Sequence, residues 1–168
     1  MANPTGNNAA AGDLAKTTGV EIVSRKSDGA GCSKGDVVHF STAGLAIKGT
    51  SSGTIADGYG VAVEAVAANA DGRFATGNTL VYVVAGEVII PNNLVDIDDT
   101  AGRVGSNDEP ANAALNAIFS DTEAEAAIDL ARDYFGKTVG RYMGHQLEEV
   151  GDPTDAADGD VIAIRLGL

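Results

Sequence analysis

Tryptophan is absent, one cysteine is present, and aromatic residues make up only 5% of the 168-residue chain. A lone cysteine, Cys32, excludes an intramolecular disulfide, so the fold must hold without covalent staples. Basic residues are scarce: Lys and Arg total 11 against 24 Asp and Glu, a formal net charge of −13. Phosphate contacts need clustered Lys and Arg, and none are present, so no direct nucleic-acid binding is expected. An anionic membrane would also repel the chain, and no apolar run approaches the roughly 20 residues of a membrane span. The N-terminus, MANPTGNNAAAGDLAKTTG, lacks the basic start and apolar middle of a signal peptide. Synthesis in the cytoplasm, without export by a secretion pathway, is the expectation.

What is present is a β composition. Apolar residues make up 44% and glycines number 22, so Val, Ile, Ala and Leu alternate with frequent turn signals. Strands are expected at Val20–Val23, in the segment from Lys34 to Phe40, at Leu45–Lys48 and at Gly60–Val66. Asn69-Ala70-Asp71-Gly72 reads as a turn. Thr79–Ile90 is the strongest β signal, as one bent strand or two, with Gly86 as the bulge or corner and Pro91-Asn92-Asn93 ending it. Val139–Glu148 and Val161–Leu166 return to β after an acidic loop. The order of strand, Asp-Gly and strand occurs at 60–84 and again at 140–166, which suggests two related hairpins.

Helical signals lie between these blocks. Ser120 and Glu123 form a capping box. Ala124, Ala127, Ile128, Ala131, Tyr134 and Phe135 follow at helical spacing, with Gly136 as the stop. The pattern predicts a helix around 121–135 whose Ile128, Ala131 and Phe135 face packs into the core, the alternative being a surface for self-association. Residues 111–119 suggest a second, shorter helix with Pro110 near its first turn. Residues 1–19 contain almost no bulky apolar side chain and read as an extended N-terminal arm that orders only on contact.

The chemical inventory is thin. His39 and His145 are the only histidines, and a Cys32–His39 pair lacks the further ligands of a zinc site. Cys32 lies between Gly31 and Ser33, with no base placed beside it by sequence. The acids Asp96, Asp98 and Asp99, and Asp152, Asp155, Asp158 and Asp160, lack the closing Glu of a calcium loop and read as solvated loop carboxylates. No nucleophile elbow or phosphate-binding loop occurs. Catalytic residues, metal and cofactors are therefore not expected. Trimeric all-β enzymes of the dUTP pyrophosphatase kind are a rival by size, but their strand-borne Asp and Tyr motif is missing.

One resemblance is carried by "KGDVVHFSTAGLAIKGTSSGTIADGYGVAVEAVAANADG" followed by "LVYVVAGEVIIPNN", with its xGxVxxP element at residues 85–91. Val139-Gly140, Asp158-Gly159 and the terminal Val161–Leu166 extend it, so that it covers about residues 20–95 and 137–168. In these features the chain resembles the small capsid decoration, or cement, proteins of tailed viruses, the family of the phage lambda head decoration protein. The stretch 96–136 has no counterpart in that pattern and is expected to be a helical insertion in the domain. The resemblance implies a mainly β fold: a compact β-barrel or β-tulip-like domain over 20–168, with one or two helices inserted at about 111–135 and the arm 1–19 outside it. It implies a non-enzymatic virion protein, of a bacteriophage or archaeal virus, on the capsid exterior. Its partner would be the major capsid protein, whose neighbouring subunits it clamps as a homotrimer. Asn3, Pro4, Thr5, Asn7, Asn8, Leu14 and Lys16 are then the candidate capsid-contact residues of the arm. With a charge of −13, attachment is expected through apolar and main-chain contacts, the rival being a basic contact through Lys16, Arg25 and Lys26. The alternative from another class is a β-rich carbohydrate-binding module or an all-β enzyme subunit.

Overall fold

In the computed structural model, the residues described are 9–15, 19–49, 58–98, 100–107, 128–129, 131, 136–145 and 155–167. They fold into two β structures packed on each other. The first is a closed barrel of β1 (Glu21–Ser27), β2 (Val37–Phe40), β3 (Leu45–Lys48), β4 (Tyr59–Ala62) and β5 (Asp71–Thr76), in the order β1-β3-β2-β4-β5. The second is a sheet of β6 (Leu80–Val84), β7 (Leu94–Ile97), β8 (Val104–Ser106), β9 (Gly140–His145) and β10 (Val161–Leu166), in the order β6-β10-β9-β7-β8. Its two edges approach each other where Ala85 bridges Val104 and Gly86 N–H donates to the Val104 carbonyl at 2.8 Å.

Strand alternation explains how the two bodies share a core. Val38, Ala62 and Phe74 point into the barrel, where they meet Cys32, Ala46 and Val66. Their chain neighbours Val37, Val61 and Ala75 point outward and are buried against Val81, Val83, Val95, Tyr142, Ile162 and Ile164 of the sheet. Both faces of β2, of β4 and of the Phe74-Ala75 part of β5 are thus apolar, which is why Val37-Val38 and Val61-Ala62 read as continuous apolar pairs rather than as alternation.

The mainly β expectation holds, with the single barrel corrected to a barrel plus a sheet. Three strands escape the sequence reading. β5 starts at Asp71, inside the expected turn. Gly72 serves packing there, because a Cβ would overlap the Val66 side chain. β7 and β8 fall in or beside the stretch expected to carry helices. The first supposed hairpin does not form. β4 pairs with β2 and β5, whereas β6 belongs to the other sheet; only β9 and β10 pair as expected. Gly86 is the corner after β6, with the Asp98 carboxylate where its Cβ would be.

Of the expected helix, Ile128, Asp129 and Ala131 are helical, and so are Gly136 and Lys137. Gly136 therefore does not stop the helix, and Ile128, expected in the core, is 58% exposed. The rest of 121–135 and all of 111–119 lie outside the described residues.

Candidate docking surfaces

Of the arm residues singled out from sequence, Asn3, Pro4, Thr5, Asn7, Asn8 and Lys16 lie outside the described residues. Leu14 does not project: it packs against the core shared by barrel and sheet. The segment around it pairs with β6, an edge strand. Gly12 N–H donates to the Tyr82 carbonyl at 2.7 Å, Tyr82 N–H to Asp13 at 3.0 Å, and Ala15 N–H to Leu80 at 2.9 Å. Gly12 has φ +84, and a Cβ there would lie 2.7 Å from Gly35 N and 2.8 Å from the Ala62 carbonyl, so only glycine fits. Asp13 pairs with Lys34, whose hydrogen bond holds its carboxyl below the usual range. Residues 9–15 thus belong to the folded body, and the edge of β6 is covered by its own chain.

The chemistry-bearing side chains stay apart. Cys32 is buried, and burial first, then Asp36 and Asp28, pushes its thiol up to about 11. It is held as a thiol and not as a nucleophilic thiolate. His39 is half-buried, burial lowers its pKa, and its Nδ1 has no hydrogen-bond partner among the described residues. Among those residues no three His, Cys, Asp or Glu side chains converge as a metal site. The loop acids serve turns and an ion pair. Asp98 accepts from Thr100 N–H at 2.8 Å, Asp160 from Ala157 N–H at 2.8 Å, and Asp158 pairs with Arg103 at 2.8 Å. Asp99 and Asp152 lie outside the described residues.

A cleft of about 370 Å³ opens at the barrel mouth, lined by Val23, Arg25, Phe40, Tyr59, Thr138 and Val139 among others. Its polar groups are committed. Arg25 stands over the Phe40 ring at 5.8 Å, and the Tyr59 hydroxyl donates to the Gly136 carbonyl at 2.8 Å. Among the described residues no aromatic ring is exposed, since Phe74, Tyr82 and Tyr142 are buried and Phe40 and Tyr59 half-buried. The flat aromatic platform on which a sugar ring stacks is thus not found among them.

The exposed apolar surface is at a different place. Val88 is 61% and Ile90 56% exposed, on either side of a fully buried Ile89. This tip is pinned by main-chain bonds. Ile89 and Ala156 exchange hydrogen bonds at 3.0 and 2.9 Å, and Glu87 accepts from Ser106 N–H at 2.6 Å. Asn93 N–H then donates to Ile90, and Tyr142 N–H to Asn93, tying the turn to β9. On β9 the pairing with β10 jumps from Tyr142 to Gly144, so Met143 is a bulged residue, and it is 40% exposed. Sequence reasoning missed this surface because Val88-Ile89-Ile90 carries no polar residue to mark the outward side.

No protein-family model and no curated protein matches the chain. Among solved structures, it is similar to the head fiber gp8.5 N base of bacteriophage phi29, with 14% sequence identity and a TM-score of 0.49. That alignment covers 88% of this chain and 94% of the other.

Proposed function

We propose that the chain is a structural, non-enzymatic virion protein that binds the outer surface of a tailed-virus capsid. In this reading it sits as a homotrimer on the major capsid protein, clamps neighbouring subunits, and is made in the host cytoplasm. The observation that carries the reading is the tip at Val88 and Ile90. It belongs to the xGxVxxP element at residues 85–91, one of the features that carry the resemblance to decoration proteins, and it presents bare apolar side chains from a pinned backbone. Val88 and Ile90, 61% and 56% exposed, gain about 1–2 kcal/mol each when fully buried. Such a contact is weak singly and adequate when many copies engage one shell. A pinned tip also loses little conformational freedom on docking. The carbohydrate-binding alternative has no exposed aromatic among the described residues to support it.

The test is cosedimentation with purified capsids of the virus that encodes the chain, across a salt series. Wild-type protein is expected to stay bound from about 0.1 M to about 1 M salt, because screening leaves apolar contacts intact. The double variant Val88→Ser, Ile90→Ser is expected to be lost while remaining folded. Retention of that variant, or loss of the wild type as salt rises, would refute attachment through the tip.

A further inference from the structure

The outer face of the five-stranded sheet carries a feature that its stability does not explain. The register places Arg165 of β10 directly opposite Arg141 of β9. On either side, Leu80 of β6 stands opposite Arg165 and Leu94 of β7 opposite Arg141. One row across the sheet therefore reads Leu80, Arg165, Arg141, Leu94, with both arginines exposed and both leucines half-buried. Like charges directly opposite in a sheet destabilise it, in a range of about 0.2–1 kcal/mol.

The use of the other cations sharpens the point. Arg73 pairs with Glu64 and Arg103 with Asp158, while Arg25 lies over Phe40. Neither Arg141 nor Arg165 has an ion-pair partner among the described residues. In a chain with 24 acidic residues, two adjacent exposed guanidinium groups with no carboxylate partner among the described residues stand apart from Arg73 and Arg103, which are paired.

We infer that this row is a docking surface for a second copy of this chain, whose carboxylates bridge Arg141 and Arg165. Charge complementarity selects the occupant: the chain's own surface, at −13, is the complement of an isolated basic pair. The same charge disfavours a nucleic acid. Two guanidinium groups side by side present paired N–H donors that match a carboxylate. Leu80, Leu94 and the bulged Met143 beside Arg141 supply an apolar border that excludes water from the contact. A surface that joins one copy to a different patch on the next is heterologous and closes into a ring when the rotation permits, as in a trimer. The inference rests on the self-associating part of the proposed function and not on shell attachment.

The experiment is sedimentation velocity on the full chain over a concentration series, without capsids, so that its failure leaves the shell contact untouched. At about 0.05 M salt the wild type is expected to self-associate, and about 1 M salt is expected to weaken it about tenfold or more. Arg141→Gln with Arg165→Gln should weaken association at low salt by at least about tenfold, with an unchanged or raised thermal midpoint. Arg25→Gln should leave it unchanged. A wild type that stays monomeric to about 1 mM would overturn the inference. So would a double variant that associates normally, or association that strengthens with salt. Binding of heparin or duplex DNA that requires both arginines would assign the pair to a polyanion and equally overturn it.

Discussion

Leu14→Ala is the perturbation that asks whether the N-terminal segment is part of the fold. In the sequence it belongs to a polar arm; in the structure it packs against the shared core while Gly12, Asp13 and Ala15 bond to β6. A fully buried leucine truncated to alanine loses about 2–5 kcal/mol. Leu14 is half-buried, so the expected loss is about 1–2 kcal/mol. For a domain of this length that corresponds to a thermal midpoint lower by about 2–8 °C. Urea unfolding is the cleaner assay: the midpoint should fall with an unchanged slope, because the same surface is exposed on unfolding. Val88→Ala, at a position 61% exposed, is the control and should stay within about 0.5 kcal/mol of wild type. If Leu14→Ala behaves like that control, the segment is not docked in solution, and residues 9–15 are free to act as a strap.

Other consequences are as direct. Gly140→Ala should destabilise by about 3 kcal/mol, because its Cβ would overlap the Arg165 carbonyl oxygen and lie 3.0 Å from the carbonyl carbon, backbone atoms that β9–β10 pairing fixes; a small change in urea midpoint would contradict the register. Burial, then Asp160 and Asp155, pushes the Tyr142 phenol up to about 12 from 10.0. The folded state thus keeps a proton that the unfolded chain releases, so stability is full below pH 10 and falls as pH rises toward 12, by up to about 1.4 kcal/mol per pH unit. Tyr142→Phe should remove that share of the alkaline slope in urea titrations, and an unaltered slope would count against the buried phenol. Cys32, with its thiol pushed up to about 11 from 9.0, should react with iodoacetamide in native protein at pH 8 about 100-fold or more slower than in unfolded protein; equal rates would place it outside the barrel.

Strands that bury β-branched residues were legible: β2, β3, β6 and β10 lie where Val and Ile put them, and β9, which buries Tyr142, follows Val139. β5 was not, because among its residues only Phe74 is a large apolar side chain, and its Gly72 imitates a turn while making room for Val66. β8 has three residues, too few for a period to show. The hairpin suggested by 60–84 failed for a topological reason: local patterns specify strands, whereas the partner of β6 is β10, about eighty residues later in the chain. The docking surfaces were hidden by the same limit. Val88 and Ile90 look like core until Ile89 is seen to take the inward position. Arg141 and Arg165 become neighbours only through the β9–β10 register, which shifts at the Met143 bulge.

The central claim, that this chain clamps a shell from outside through its apolar tip, is tested most directly by a density map of the decorated particle. The map should show the chain on the outer surface in three-fold-related copies, with Val88 and Ile90 buried against the major capsid protein. A particle with no copy on its exterior, or one in which that tip faces solvent, would contradict the account.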